Sequence, residues 1–242
     1  MKWYLDFGHG GKDSGAIGTN KTKESDTVLK IGMMVKENLE NALEKVITTR
    51  ENDKYYSLNY RTTKANNENC DYFISIHLNA STNPSAKGCE VWIYDENSKL
   101  KNLANNLCNN LSTKINTPNR KVKYSKKLSV LKNTKMPSLL IEVDFISNKE
   151  VENYLKNDKY LKDIADTISS TLLSFVNKSI VDDKVFSNGS ICSGSKDTIV
   201  GDMNEVNFYR VCIGSFNNKD YAVKLKNKAI SKGFKDTYIY TT

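Results

Sequence analysis

The chain has only two histidines in 242 residues, and each closes an apolar, strand-like run beside small residues: His9 in LDFGHGG and His77 in FISIHLNAS. Lys2–Asp6 (KWYLD) and Tyr72–Ile76 (YFISI) read as short strands of the largely buried kind that parallel sheets use. Side chains just past the carboxyl ends of such strands meet in one crevice. A fold that satisfies the pattern therefore brings positions 9 and 77 together, and Gly8, Gly10 and Gly11 let the backbone bend tightly around whatever is bound there.

Glu24 follows at the first turn of a helix marked by Val28, Ile31, Val35, Leu39 and Ala42 at helical spacing. Two histidines and a carboxylate are the ligand count of an open zinc site, which leaves a fourth position for water. His9, Glu24 and His77 are the expected ligands, with Asp13 and Asp26 ranked below Glu24. The base for such a site is Glu142, which closes the buried run Ser138–Ile141 in MPSLLIEVDFISN. A carboxylate ending an apolar strand needs a partner or a role. Together these residues point to metal-assisted hydrolysis, most simply of an amide.

The rest of the pattern alternates strand and helix. Val46–Thr49 and Gly88–Tyr94 read as strands, Leu58–Asn66 as a helix carrying Arg61, and Leu100 to Ile115 and Leu161 to Phe175 as amphipathic helices. Such alternation predicts a twisted, mostly parallel sheet flanked by helices, an α/β domain over residues 1–176. Arg61 reads as a structural ion pair under the site. Asn79 is a candidate substrate-binding residue, and the basic stretch Arg120–Lys127 reads as a solvated rim.

The segments DFGHGGKDSGA, Glu24, ITTREND, LNYRTTKANNENCDYFISIHLNAS and LLIEVDFISN resemble, in order and spacing, the zinc-dependent N-acetylmuramoyl-L-alanine amidases of the amidase-3 family. The resemblance covers about Met1 to Val176. It implies one Zn2+ on His9, Glu24 and His77, Glu142 as catalytic base, and cleavage of the peptidoglycan amide between the lactyl group of N-acetylmuramic acid and L-alanine of the stem peptide. Three positions depart from the family pattern: Phe7 and Ser14 stand where proline is usual. Asp144 stands in place of a glycine and is expected to add a carboxylate near the site.

A net charge of +8 suits nucleic acid, membrane surfaces or an anionic wall polymer. No nucleic-acid-binding motif accompanies it and no apolar run reaches membrane-spanning length, so neither nucleic acid nor membrane is an expected partner. Five cysteines without CxxC spacing read as reduced thiols. Met1 leads straight into a strand with no signal-peptide pattern. Synthesis in the cytoplasm and action on the wall after holin-mediated release or mother-cell lysis is the expectation.

Residues 177–206, rich in Ser, Asn, Asp and Gly, read as a linker. Residues 207–242 read strand, helix, strand, with Ala222, Leu225, Ala229 and Ile230 as the apolar helix face and Gly233 as its stop. This small α+β module resembles half of a SPOR domain, which implies binding to glycan strands. A unit of about 35 residues is small to fold alone, so pairing of two tails in a homodimer is one expectation. Two other readings stay open: a non-catalytic wall-binding or assembly protein on the same scaffold, and a zinc peptidase cutting within the stem peptide.

Overall fold

A computed structural model describes residues 1–185 and 219–231. The chain divides into two units, Met1–Asn188 and Gly189–Thr242. In the first, the elements are β1 (Lys2–Phe7), α1 (Glu24–Asn41), β2 (Lys45–Thr48), α2 (Leu58–Asn67), β3 (Tyr72–Asn79), β4 (Cys89–Ile93), α3 (Lys101–Lys114), β5 (Asn119–Tyr124), α4 (Ser129–Lys132), β6 (Ser138–Phe145), α5 (Lys149–Tyr154) and α6 (Asp158–Val185). The strands form one six-stranded sheet in the order β2-β1-β3-β6-β4-β5. Every pairing is parallel except β4 with β6, so the sheet is mixed.

Alternation along the strands sorts side chains onto two faces. Trp3, Leu5, Phe7, Ile74, Ile76, Val91 and Ile141 are buried on one, against Val28, Ile31 and Val35 of α1, Leu103 and Leu107 of α3, and Ile164, Ile168 and Leu172 of α6. Each such side chain is worth about 1.5–3 kcal/mol of burial. The opposite face carries Tyr4, Phe73 and Leu140 beneath Ala65 of α2 and Val130 and Leu131 of α4. Helices on both faces are what a largely parallel sheet requires.

One expectation gains an element and one needs correction. Residues 120–124 of the rim expected over Arg120–Lys127 belong to the edge strand β5, whose lysines keep an open sheet edge from pairing with other chains. The linker expected from residue 177 begins in helix, because α6 runs to Val185. No glycine or proline interrupts the sequence between Asp158 and Gly189, so nothing in it stops the helix where the apolar periodicity fades. In the second unit the expected helix is present as α7 (Lys219–Ser231). The two strands expected to flank it fall outside the described residues, as do Cys192 and Cys212. Cys70, Cys89 and Cys108 are buried free thiols. No described helix is long and apolar enough to cross a membrane.

The long β1–α1 loop is pinned from outside by Glu152 of α5, which is fully buried. Its carboxylate accepts from Thr19 Oγ1 at 2.8 Å, from Asn20 N at 2.8 and 2.9 Å, and from Thr22 N at 3.1 Å. Burial opposes its charge, but these donors outweigh burial and hold its pKa down at about 2. A carboxyl depressed on folding stabilises the protein fully above the ordinary value of 4.5, and that contribution is lost as pH falls through about 2. The expected size is about 3 kcal/mol. Urea titrations of wild type and Glu152→Gln should therefore differ above pH 5 and converge as pH is lowered; a gap independent of pH would contradict the assignment.

Candidate metal centre

The face of the sheet that carries Tyr4, Phe73 and Leu140 turns polar toward the carboxyl ends of β1, β3 and β6. Two residues on from those apolar positions stand Asp6, Ser75 and Glu142, then His77 and Asn79. β4 runs the other way, so its polar residue Glu90 precedes Trp92 and lies opposite Glu142. Glu142 is also the register partner of His77. One end of one face thus gathers the chemistry, while the other end is core.

Asp6 anchors this end. It is fully buried, with Oδ1 accepting from Thr49 Oγ1 at 2.6 Å and Arg61 Nη1 at 2.7 Å, and Oδ2 accepting from Ser75 Oγ at 2.8 Å. Burial works against the charge, and Arg61 followed by Thr49 outweighs it, so the carboxyl stays below its ordinary range. Arg61 also donates to the carbonyls of Phe7 at 2.9 Å and His9 at 2.8 Å. Arg50, equally buried, donates to Phe7 at 3.0 Å, Gly8 at 2.8 Å and Ser25 at 2.7 Å. Two planar guanidinium forks therefore clamp the backbone that carries His9 and the start of α1. They hold His9 at φ 60°, in the left-handed region that a non-glycine residue seldom occupies.

Three ligand atoms converge as a result. His9 Nε2 is 3.2 Å and His77 Nδ1 2.9 Å from Glu24 Oε1. These three residues are the one set of His, Cys, Asp or Glu side chains among the described residues whose ligand atoms are placed to share an ion. A tetrahedral ion with ligands at about 2.0–2.1 Å needs ligand atoms about 3.3–3.4 Å apart; the two spacings to Glu24 fall slightly short of that, and all three ligand atoms lie within 4.8 Å of one another. Glu24 is fixed by Leu78 N on Oε1 at 3.0 Å and Ala16 N on Oε2 at 2.9 Å. Gly15, at φ 64°, leaves room for both: a Cβ there would stand 2.5 Å from the His9 ring and 2.6 Å from Glu24 Oε2.

The three side chains shift one another's titration. Burial would raise the Glu24 carboxyl, but hydrogen bonds to His77 and His9 hold it far below the usual carboxylate range. Burial would lower His9, and Glu24 with Asp13 outweighs it, carrying the imidazole up to about 9. His77 moves up likewise against its burial, chiefly through Glu24 and then Glu142.

Glu142 stands apart from this set. Its Oε2 is buried with no hydrogen-bond partner among the described residues. Burial, only partly offset by His77 and reinforced by Glu24 and Glu90, pushes its pKa up to about 7. A buried carboxylate oxygen left without a partner beside a ligand cluster is an exception among buried polar groups and calls for a reason.

The remaining candidates fall elsewhere. Asp13 is not among the converging ligands; its Oδ2 is 2.9 Å from His9 Nδ1, where it orients the ring from behind. Asp26 lies at 3.5 Å from the Ser25 hydroxyl in the first turn of α1 and does not join the cluster. Asn79 Nδ2 donates to Glu90 Oε1 at 3.0 Å, and its Oδ1 accepts from Ala80 N. Asp144 is fully buried and bonded to Gly88 N, Phe145 N and the Thr117 hydroxyl, so it stitches loops together. Asp6, Arg50 and Glu90 were not singled out in the sequence. A charged residue near the end of β1 was the available signal for Asp6, and REND after β2 the signal for Arg50.

A family model described as N-acetylmuramoyl-L-alanine amidase matches residues 4–174. The chain is 38% identical over 180 residues to the endolysin of Bacillus phage SPP1, a match that covers 72% of this chain and 65% of the phage protein. The chain thus spans under two thirds of that relative's length. It is 30% identical over 237 residues to the sporulation-specific N-acetylmuramoyl-L-alanine amidase of Bacillus subtilis, covering 97% of this chain and 82% of the relative. Among solved structures it resembles the N-acetylmuramoyl-L-alanine amidase AmiC2 of Nostoc punctiforme, with a TM-score of 0.69 and 32% identity over 73% of this chain and 97% of that one.

Arg61→Ala leaves Asp6 buried without its cation, removes the guanidinium donor to the His9 carbonyl and leaves the Phe7 carbonyl to Arg50 alone. The expected cost is about 3–5 kcal/mol in chemical denaturation, and a cost near zero would remove Arg61 from its place as anchor. Asp13→Asn keeps shape but weakens the support of His9. Zinc affinity measured against a chelator should fall about 10- to 100-fold, whereas unchanged affinity would mean that the 2.9 Å contact is incidental.

Proposed function

This chain belongs to the amidase-3 family of N-acetylmuramoyl-L-alanine amidases, and on that premise we propose that its first unit hydrolyses the amide between the lactyl group of N-acetylmuramic acid and L-alanine in peptidoglycan. The observation that carries the reading is the convergence of His9 Nε2, His77 Nδ1 and Glu24 Oε1 beside the unpartnered Oε2 of Glu142. The donor set of two imidazoles and one carboxylate suits Zn2+. When bound there, zinc supplies Lewis-acid polarisation of the amide carbonyl and lowers the pKa of water.

The chain's own residues do the rest. Glu24, His9 and His77 form a rigid floor, because each is held by a partner besides the ion: Leu78 N and Ala16 N for Glu24, Asp13 for His9, and the strand register for His77. Glu142 takes the proton of the attacking water at Oε2 and delivers it to the departing alanine nitrogen. Its pKa near 7 in the protein alone suits both halves of that transfer, since a base must also be able to give the proton back. One water and one amide become a lactyl carboxylic acid and a free amine.

The tail is read as the wall-targeting part. Its helix α7 and the +8 net charge support attachment to an anionic, glycan-rich polymer. Relatives named as an endolysin and as a sporulation-specific N-acetylmuramoyl-L-alanine amidase support action on the cell wall.

The test is digestion of purified Gram-positive walls by wild type and Glu142→Gln, each loaded with zinc, followed by end-group analysis. Wild type should release new alanine amino termini, and the variant should retain zinc and lose about 10²- to 10⁴-fold in rate. New amino termini at other stem residues would identify a peptidase. Binding to walls without any new termini would identify a non-catalytic wall-binding protein.

A further inference from the structure

The reversal of β4 against β6 brings the amino ends of β4 and β5 to the carboxyl ends of β3 and β6, so the crevice has a second wall built from different sequence. Two bulges shape it. Register slips between His77 and Asn79 where β3 meets β6, and between Cys89 and Val91 where β4 meets β5. At the second slip Lys121 has φ 71°, a conformation that L side chains rarely adopt. Bulges of this kind re-aim the neighbouring side chain, and the neighbour is Arg120.

Arg120 is thereby turned onto the face that carries Glu90, Glu142 and His77. Its stem crosses Gly88, where a Cβ would stand 2.8 Å from Arg120 Cγ, and Gly88 itself has φ 122°. The guanidinium lies over the Phe145 ring at 4.9 Å from its centroid, and Nε donates to Glu90 Oε2 at 2.9 Å. Glu90 is almost fully buried, and its other oxygen accepts from Asn79 Nδ2 and Trp92 Nε1. One edge and one flat side of the guanidinium are thus held by buried groups. The side chain nevertheless stays 41% exposed, and its two Nη groups have no hydrogen-bond partner among the described residues.

We propose that Arg120 is the specificity residue for the peptide side of the substrate, its Nη edge accepting a carboxylate carried by the second residue of the stem peptide. The inference rests on the amidase reading and deepens it. A planar fork with its plane already fixed matches a carboxylate in two parallel hydrogen bonds and loses little further freedom on binding. Reach agrees with the assignment. Neighbouring strands lie about 4.8 Å apart, so the guanidinium, between β4 and β5, is about 5–10 Å from Glu142. A peptide advancing about 3.5 Å per residue brings its second residue into that range. A salt bridge serving the fold alone needs neither the strained bulge nor the glycine beneath the stem, since Arg120 is too exposed to stabilise much by itself.

The test uses two synthetic muramoyl peptides that differ only at the second stem residue, one with a free carboxylate and one with the same group as a carboxamide. kcat/KM is measured on both for zinc-loaded wild type, Arg120→Ala and Arg120→Lys. Wild type should prefer the carboxylate by about tenfold, mostly through KM. Arg120→Ala should bring the ratio to about one, and Arg120→Lys should keep the charge and only part of the preference. A purely structural Arg120 would slow both substrates together and leave the ratio unchanged, which would overturn the proposal, as would a wild-type ratio of one. Failure of wild type to cleave either peptide would instead remove the amidase reading, and the inference with it.

Discussion

The site depends on the buried contact between Arg61 and Asp6. A fully desolvated ion pair is a poor source of net stability, because the cost of removing both charges from water offsets most of the attraction. Its value here is geometric. Asp6 closes β1, and Arg61, brought in on α2, spans from that carboxylate to the carbonyls of Phe7 and His9. Arg50 takes the same loop from the other side and reaches the start of α1. A left-handed residue costs about 1–2 kcal/mol, and a hydrogen bond from a charged donor to its carbonyl is worth about as much. The strain at His9 is thus sustained by the clamp, and the ring is delivered to Glu24 and His77.

The second constraint is the division of one sheet face into an apolar end and a polar end. Tyr4, Phe73 and Leu140 lie under α2 and α4. Toward the other end of the same strands stand Asp6 and Ser75, fully buried, and His77 and Glu142, partly buried. Polar groups there can be half open to substrate while their supports remain buried. The antiparallel β4 then adds Glu90, and β5 adds Arg120, neither of which a purely parallel sheet would bring to this end.

Much of the centre was legible because its signal is local. A histidine after an apolar strand run and beside small residues marks a strand end, and a carboxylate that closes such a run, as Glu142 does, stands out against its neighbours. What holds these residues was not legible. The Asp6–Arg61 contact joins positions 55 apart, and nothing in either segment names the other. β5 was hidden because an exposed edge strand of alternating lysines shows no apolar period, with only Val122 packed against the core. Asp144 was expected to add charge at the site from its place two residues after Glu142. The intervening bulge, two donors from other loops and the amide of Phe145 commit it to the framework. The helices α4 and α5 are too short for a 3.6-residue period to register.

The most direct test of the account is the crystal structure of the zinc-loaded protein, with the metal located by its anomalous signal. One zinc ion should lie between His9 Nε2, His77 Nδ1 and Glu24 Oε1 at about 2.0–2.2 Å, with Glu142 outside the coordination shell. An ion bound instead through Asp13 or Glu142, or none at this place, would contradict it.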